Sequence, residues 1–286
     1  MKTNSDINWT VQKPEAGMPL QEFLALKMGV SKRVAKHQLD AKAVRVNGRA
    51  VWIARHALRA DDKVSLVARV KSPTALSERV KKITILFEDE NYIIADKPLG
   101  LVVNAADYSV ENILRAQTGN PALKASHRLD RDTTGCILLS KSEAAHAAAV
   151  DVFKRHNVSK TYRTVVDGRW DAAATTIEIE LDSARASTGI HCLRATDSAS
   201  YIVARIETGR THQIRRHLAM ARHPVIGDTE YGRKDLVDPR LERLTHPLLH
   251  AVELALEHPL EPGKTLKAFS PVPQDFHRWL KALRLE

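Results

Sequence analysis

Apolar side chains recur three and four positions apart between residues 18 and 39, and this spacing predicts helix. Gly29 interrupts the pattern, and Ser31, a residue type favoured at helix N-caps, restarts it. We therefore expect two short helices near the start of the chain.

A β-hairpin is predicted next. Residues 43–51 alternate apolar and polar side chains around Asn47-Gly48, a strong signal for a two-residue hairpin turn. Residues 63–68 alternate in the same way and predict a further strand. Together with the two helices, these strands predict a small α/β module.

Beyond residue 82, short strands outnumber helices. The apolar pattern predicts strands at residues 83–87, 92–95, 136–139, 162–166, 176–181 and 201–206, and helices at residues 143–155 and 211–221. Many strands with few helices between them favour an α+β fold built on a mixed, largely antiparallel sheet. We divide the chain into the module at residues 1–72, a polar linker at 73–82 and a larger domain at 83–286.

The excess of positive charge lies in the first third of the chain. Residues 1–82 hold 17 Lys and Arg against 7 Asp and Glu, whereas residues 83–286 hold 27 of each, so the first segment carries the whole net charge of +10. A compact basic module attached to a neutral body is typical of proteins that bind a polyanion, because each neutralised phosphate releases a counterion. Lys32, Arg33 and Arg45 are candidates for this contact. A solvated basic surface is the alternative, and charge alone does not separate RNA from DNA or acidic lipid.

Composition excludes several classes of protein. No run of about 18 apolar residues is present, and the chain begins with polar residues, so we expect no membrane span, no secretory signal and a cytoplasmic location. Cys136 and Cys192 lie 56 positions apart, which gives neither a disulfide framework nor zinc-ligand spacing. No Gly-rich phosphate loop is visible. We therefore expect no metal and no nucleotide cofactor.

The densest polar cluster of the larger domain is His-Arg-Leu-Asp-Arg-Asp-Thr-Thr-Gly at residues 127–135, which leads directly into an apolar strand. A loop in this position would hold Asp130 at the edge of the core beside Arg128 and Arg131, as an ionised nucleophile or base. The alternative is a structural turn, in which Asp130 and Asp132 cap backbone amides while the arginines face water.

A second polar cluster, at residues 208–218, crosses from a strand end into a helix. If Thr211 and Arg215 both lie on this helix, they share a face, and Arg215 can point over the sheet. The arginines of the cluster, Arg210 among them, suit pairing with phosphate or carboxylate, with a solvated face as the alternative. Its two histidines lack metal-ligand spacing, and a structural role is the default interpretation for both.

Six groups of residues in the larger domain form distinctive sequence strings. They are Asp-Lys-Pro-Leu-Gly-Leu-Val-Val at residues 96–103, the cluster at 127–135, Lys-Thr-Tyr-Arg-Thr-Val-Val-Asp-Gly at 160–168, Gly-Arg-Thr-His-Gln-Ile-Arg-Arg-His-Leu at 209–218, His-Pro-Val-Ile-Gly-Asp-Thr-Glu-Tyr-Gly at 223–232, and Leu-His-Ala at 249–251 with His-Pro at 258–259. In these strings the chain resembles the RluA family of pseudouridine synthases. Residues 31–48 resemble the small RNA-binding module first described in ribosomal small-subunit protein four.

The resemblance implies an isomerase that turns uridine into pseudouridine in RNA. It implies that Asp130 is the catalytic aspartate, Tyr162 the active-site tyrosine and Arg215 the basic partner of the aspartate. Arg128 matches the arginine that enters the RNA stack where the target base leaves. The reaction gains and loses no atoms, which agrees with the absence of cofactor signatures.

Two further residues, Arg210 and His212, are candidates for substrate binding. The target base must leave its stack, at a cost of a few kcal/mol, because a carboxylate cannot reach the sugar inside a helix. Whether Asp130 attacks the anomeric carbon or removes a ribose proton is open at this point.

The resemblance also implies the RNA partner. Family members with this amino-terminal module commonly act on large-subunit ribosomal RNA, and tRNA is the alternative substrate. A non-catalytic RNA-binding or ribosome-assembly factor is a further alternative, which the intact Asp130, Tyr162 and Arg215 disfavour. A DNA-binding regulator is disfavoured because no recognition helix is visible. The sequence leaves the oligomeric state open, with a monomer as the default expectation.

Overall fold

The computed structural model describes residues 7–30, 32–40, 43–66, 80, 82–104, 106–233, 241 and 244–286, apart from the side chains of Arg33, His37 and Asp40. The chain divides into two compact units at the boundary between Glu78 and Arg79. Most of the expected linker, residues 73–82, lies outside the described residues, and the domain bounds drawn from the sequence stay a prediction.

The amino-terminal unit combines two helices with an antiparallel sheet. Its elements are β1 (Ile7–Thr10), α1 (Leu20–Met28), α2 (Lys32–Asp40), β2 (Val44–Val46), β3 (Arg49–Ala50) and β4 (Lys63–Leu66). The strand order is β1-β4-β2-β3, and each pairing is antiparallel. Leu20, Phe23, Leu24, Leu39 and Val64 lie in the small core of this unit.

Local signals explain the turns of this unit. Gly29 follows α1 with a φ of 65°, a left-handed conformation that favours glycine. Asn47 and Gly48, with φ angles of 51° and 78°, connect β2 to β3. A two-residue turn with both φ angles positive matches the twist of a hairpin. The two helices and the hairpin are as the sequence predicts, whereas β1 was missed because its side chains are mostly exposed.

The second unit is larger and dominated by one sheet. Its elements are β5 (Ile85–Glu88), β6 (Tyr92–Lys97), α3 (Val110–Thr118), β7 (Lys124–Ala125), β8 (Thr134–Ser140), α4 (Glu143–Lys154), β9 (Val158–Asp167), β10 (Ala174–Glu178), β11 (Ser187–Ala195), β12 (Ala199–Ile206), α5 (Gln213–Met220), β13 (Leu249–Glu257), β14 (Thr265–Phe269) and α6 (Gln274–Ala282). None of the helices within the described ranges is long and apolar enough to cross a membrane.

The sheet is mixed and largely antiparallel, so the predicted fold class is confirmed. The strand order is β10-β11-β12-β9-β13-β8-β6-β5, with β14 beside β13 and β7 beside β8. Only β8 and β13 pair in parallel among these described strands. Strands β7, β11, β13 and β14 and helices α3 and α6 were not predicted. Strand β13 lies between β8 and β9 at the centre of the sheet.

Helices cover both faces of this sheet. Consecutive residues of a strand point to opposite faces, and Ile137 and Leu138 of β8 belong to two different core clusters. Ile137 shares its cluster with buried residues of α3 and α5, and Leu138 shares the other with Ala145 and Ala149 of α4. Helix α6 packs in a further cluster at Phe276. The sheet is therefore buried on both sides near its centre.

Gly135 allows β8 and β13 to approach closely where the polar loop at residues 127–133 ends. Its φ is 107°, and a Cβ atom placed on it would lie 2.2 Å from the carbonyl oxygen of Ala251 in β13. A side chain at this position would therefore collide with backbone. Gly135, the last residue of the polar cluster at residues 127–135, is therefore required by the close approach of β8 and β13.

Candidate active site

The loop that carries Asp130 connects β7 to β8 and is anchored at both ends. The Thr133 amide donates to the Asp130 carbonyl at 3.1 Å, which closes a turn. His127 accepts a hydrogen bond from the Leu138 amide at 3.0 Å through Nε2 and stacks on Phe153 at 4.7 Å. Burial lowers the pKa of His127 to about 3, so its ring is neutral and can accept this bond. Asp130 therefore projects from a fixed turn.

Lys97 also holds the loop at residues 127–133 in place. Its fully buried ammonium donates to the carbonyl oxygens of Pro98, Arg131 and Thr133 at 3.0, 2.8 and 2.7 Å. Burial lowers the pKa of Lys97 to about 7, while the carboxylates of nearby aspartates oppose this shift. The string at residues 96–103 contained this lysine, but nothing in it indicated that the side chain would be buried.

The immediate neighbours of Asp130 differ in part from the prediction. Arg215 Nη1 lies 3.4 Å from Asp130 Oδ2, and His212 Nε2 lies 3.6 Å from Oδ1. Arg131, which was expected beside Asp130, instead pairs with Asp132 through two contacts of 3.1 Å. Side chains from a distant helix and its N-cap therefore face the carboxylate, rather than the arginine next to it in sequence.

Arg215 is held mainly by a residue that the sequence analysis did not single out. Its Nε and Nη2 donate to Asp228 at 2.6 and 2.8 Å, a bidentate pair, and Nη2 lies 3.3 Å from Glu230. Its guanidinium also lies over the Tyr231 ring at 5.0 Å. Burial opposes the charge of Arg215, but the surrounding carboxylates, Asp228 foremost, outweigh it and raise the pKa above its ordinary value.

Asp228 is the anchor of this arrangement. Its side chain is fully buried, and Oδ1 also accepts hydrogen bonds from the amides of Glu230 and Tyr231 at 2.9 and 3.1 Å. Burial alone would raise the pKa of Asp228, but the bonds from Arg215 and these amides hold it below its ordinary value. The string at residues 223–232 contained Asp228, yet its partner is known only once the fold is known.

His212 is the N-cap of α5 and has a left-handed backbone, with φ 53° and ψ 30°. Such a conformation is uncommon outside glycine and clusters at functional sites. It places Nδ1 3.1 Å from the hydroxyl of Tyr231. Because α5 begins at Gln213, Thr211 lies outside the helix, and the expected shared face of Thr211 and Arg215 was wrong.

His217, the other histidine of this cluster, has a structural role. It is fully buried, Nδ1 lies 2.9 Å from the hydroxyl of Thr188, and Nε2 lies 3.0 Å from the carbonyl of Ile179. These bonds connect α5 to β11 and to the residue that follows β10. They agree with the structural role that the sequence analysis gave His217 by default.

Tyr162 lies in β9 between small neighbours. It is opposite Ala204 of β12 and Ala251 of β13, so the strands beside it leave room around its ring. Burial raises the pKa of Tyr162, and Asp130 nearby adds to the shift, so the phenol stays protonated. A rigid, neutral aromatic ring therefore forms one wall beside the carboxylate.

These residues enclose one pocket of about 80 Å³. It is lined by Arg128, Leu129, Asp130, Thr133, Tyr162, Ile206, Gly209, Arg210, His212, Gln213, Ile214, Arg215 and Leu249. The three predicted catalytic residues and the three predicted substrate-binding residues of the larger domain thus come together. Within the described ranges, no group of His, Cys, Asp or Glu side chains is arranged to hold a metal ion.

The other three candidates, Lys32, Arg33 and Arg45, belong to the amino-terminal unit. Arg45 is exposed at the centre of β2, between the buried Val44 and Val46. Lys32 is exposed at the start of α2 and forms an ion pair with Glu22. The side chain of Arg33 lies outside the described residues.

Comparison with known proteins adds to this geometry. A family model described as RNA pseudouridylate synthase matches residues 91–220. The chain is 30% identical over 305 residues to ribosomal large subunit pseudouridine synthase C of Pasteurella multocida, with 96% of this chain and 93% of that protein covered. It is 30% identical over 309 residues to ribosomal large subunit pseudouridine synthase D of Vibrio parahaemolyticus, with 96% and 94% covered.

The fold is also found among solved structures. The structure of human RNA Pseudouridylate Synthase Domain Containing 4 matches with a TM-score of 0.62 and 23% identity, over 75% of this chain and 97% of that chain. The relatives place the chain among isomerases that convert uridine to pseudouridine in RNA. It belongs to the RluA family of pseudouridine synthases, which confirms the resemblance seen in its sequence strings.

Proposed function

We propose that this chain isomerises specific uridines of large-subunit ribosomal RNA and that Asp130 is its catalytic group. The observation that carries the proposal is the pocket in which the Asp130 carboxylate faces Arg215 and lies beside the buried ring of Tyr162. The choice of RNA follows from the relatives, several of which are named for the ribosomal large subunit and match 96% of this chain.

The reaction breaks the bond between ribose C1′ and N1 of uracil and forms a bond between C1′ and C5. The proton on C5 is lost and N1 gains one, so product and substrate have the same composition. Asp130 serves this reaction either as a nucleophile at C1′ or as a base on the ribose. Arg215 stabilises the carboxylate and fixes its direction, because its own position is set by the bidentate bond to Asp228.

Tyr162 supplies the surface on which the detached uracil turns. Its ring is nearly fully buried, at 7% exposure, and it is flanked by two alanines, so it is fixed while leaving space beside it.

Two arginines at the pocket are available to RNA. Arg128 and Arg210 both line the pocket, and neither has a carboxylate partner in the described part of the chain. Arg128 is exposed and can occupy the space that the target base leaves, which offsets part of the cost of flipping. The basic amino-terminal unit docks a structured part of the RNA, with exposed Lys32 and Arg45 among its contacts.

The substrate is tested by incubating the purified chain with unmodified transcripts of large-subunit ribosomal RNA and, separately, of tRNA. Pseudouridine is then located by carbodiimide labelling and primer extension. We expect modification at defined positions of the ribosomal transcript and none in tRNA. Modification of tRNA alone would replace the proposed substrate, and no modification of either RNA would favour a non-catalytic binder.

A further inference from the structure

The proton that leaves C5 of the uracil needs an acceptor inside the pocket. Once the new bond has formed, C5 is attached to C1′, so its proton lies beside the part of the ribose on which Asp130 acts. The group that removes this proton must therefore lie close to the Asp130 carboxylate and must carry a lone pair. The reaction as described so far assigns no residue to this step.

Two residues of the pocket lining have the required chemistry. Among the described residues that line the pocket, only Asp130 and His212 have side chains that accept a proton near neutral pH. Burial and the nearby Asp130 raise the pKa of Tyr162, so its phenol keeps its proton. The arginines of the lining stay protonated as well. Asp130 already acts on the ribose in either of its two roles, which leaves His212 for the base.

His212 lies where this acceptor is needed. Its Nε2 atom is 3.6 Å from Asp130 Oδ1, so the two groups can serve neighbouring atoms of one nucleotide. A distance of 3.6 Å is too long for a hydrogen bond, so Nε2 is not bonded to the carboxylate. The side chain is 22% exposed, which leaves it accessible from the pocket that it lines.

The contacts on the other side of the ring determine which nitrogen carries the proton. His212 Nδ1 lies 3.1 Å from the Tyr231 hydroxyl oxygen and 3.4 Å from Glu230 Oε2. The Tyr231 hydroxyl donates its own proton to Glu230, so its oxygen accepts from Nδ1–H. Because both neighbours of Nδ1 are acceptors, the neutral ring carries its proton on Nδ1 and a lone pair on Nε2. A base that is oriented by a further group is typical of active sites.

We propose that His212 accepts the C5 proton at Nε2. The electron pair of the C5–H bond then forms the C5–C6 double bond, the C6–N1 double bond opens towards N1, and N1 takes a proton from solvent. His212 returns its proton to solvent, so the step gains and loses nothing overall. The proposal rests on the proposed function, because only isomerisation of a uridine in this pocket produces a C5 proton to remove.

The test is single-turnover pseudouridine formation on RNA whose target uridine carries either hydrogen or deuterium at C5. In His212→Asn, the side chain tolerates the left-handed backbone but cannot accept a proton. We expect the rate to fall about 10²–10⁴-fold, the usual contribution of a general base, with unchanged RNA affinity. Deuterium should slow this variant more than it slows the wild type, because removal of the C5 proton becomes the slowest step.

Two further variants make the test specific. His212→Gly also suits the left-handed backbone and leaves the space of the ring empty, so added imidazole should restore part of its rate. His191→Gln is the matched control. His191 is exposed on β11 and lies outside the pocket lining, so its variant should match the wild type in rate, isotope effect and response to imidazole.

A wild-type rate in His212→Asn would overturn the proposal. A slow His212→Asn with the isotope effect of the wild type would also overturn it, because the ring would then act at another step. If His212→Asn does not fold, His212→Gly decides, and failure of imidazole to restore its rate counts against the proposal. If the wild type forms no pseudouridine in any RNA, the proposed function itself fails.

Discussion

Asp228→Asn tests how Arg215 is positioned. In the wild type, the guanidinium makes two short bonds to the fully buried Asp228 and two longer contacts, of 3.4 Å to Asp130 and 3.3 Å to Glu230. Asparagine keeps the volume of the side chain and an oxygen for the amides of Glu230 and Tyr231. It removes the negative charge that balances a buried cation.

The structure sets the size of the expected effect. Breaking a buried ion pair costs about 3–5 kcal/mol, and the retained amide bonds and the other two carboxylates place Asp228→Asn near the lower end. For a unit of this size, about 1 kcal/mol lowers Tm by about 2–4 °C, so we expect a fall of roughly 6–12 °C. Arg215 should also move relative to Asp130, and a displacement of about 1 Å can cost about a hundredfold in rate.

The assay is thermal unfolding followed by single-turnover pseudouridine formation. The control is Asp182→Asn. Asp182 Oδ2 lies 2.9 Å from Nη1 of Arg216, the residue that follows Arg215 on α5, and this ion pair is at the surface. A surface pair of this kind contributes about 0–1 kcal/mol, so the control should lose at most about 4 °C and keep its rate. If Asp228→Asn lost no more stability and activity than Asp182→Asn, the role of Asp228 as anchor would be refuted.

Three other predictions follow from the fold. His127 has a pKa of about 3 in the folded chain against 6.5 when unperturbed, so the unfolded state binds the proton first as the pH is lowered. The free energy of unfolding should therefore fall from pH 6.5 towards pH 3. His127→Gln should reduce the slope of this fall by at most about 1.4 kcal/mol per pH unit, measured by unfolding at each pH. Gly135 and Gly263 both have positive φ, but a Cβ on Gly135 would lie 2.2 Å from the carbonyl oxygen of Ala251, whereas a Cβ on Gly263 would meet nothing within 4 Å. Gly135→Ala should therefore lower Tm far more than Gly263→Ala. Equal losses of Tm would contradict the close approach of β8 and β13. Deletion of residues 1–72 should weaken RNA binding and flatten its salt dependence, measured by titration at several salt concentrations, and an unchanged slope would place the electrostatic anchor in the larger unit.

Local patterns predicted much of the fold. The alternation in β12 and the Asn47-Gly48 turn were readable because each depends on a few neighbouring residues. Strand β13 was missed although it lies at the centre of the sheet. Its partners β8 and β9 are far away in sequence, and only the assembled sheet shows that residues 249–252 are buried on both faces.

The candidate site was predicted to a similar extent. The resemblance of the sequence strings pointed to Asp130, Tyr162 and Arg215, and the structure brings all three into one pocket. Asp228 and Lys97 were not assigned roles, because their importance comes from burial and from partners supplied by other elements. A buried ion pair or a buried lysine has no sequence signature of its own, since the same residue types are usually exposed.

The most direct test of the central claim is a pseudouridine map of total RNA from cells that lack this protein, rescued with the wild type or with Asp130→Asn. We predict that defined positions of large-subunit ribosomal RNA lose pseudouridine in the deletion, that the wild type restores them, and that Asp130→Asn does not, although the variant still binds the RNA. Restoration by Asp130→Asn would contradict the assignment of Asp130 as the catalytic group, and a map unchanged by the deletion would contradict the proposed substrate.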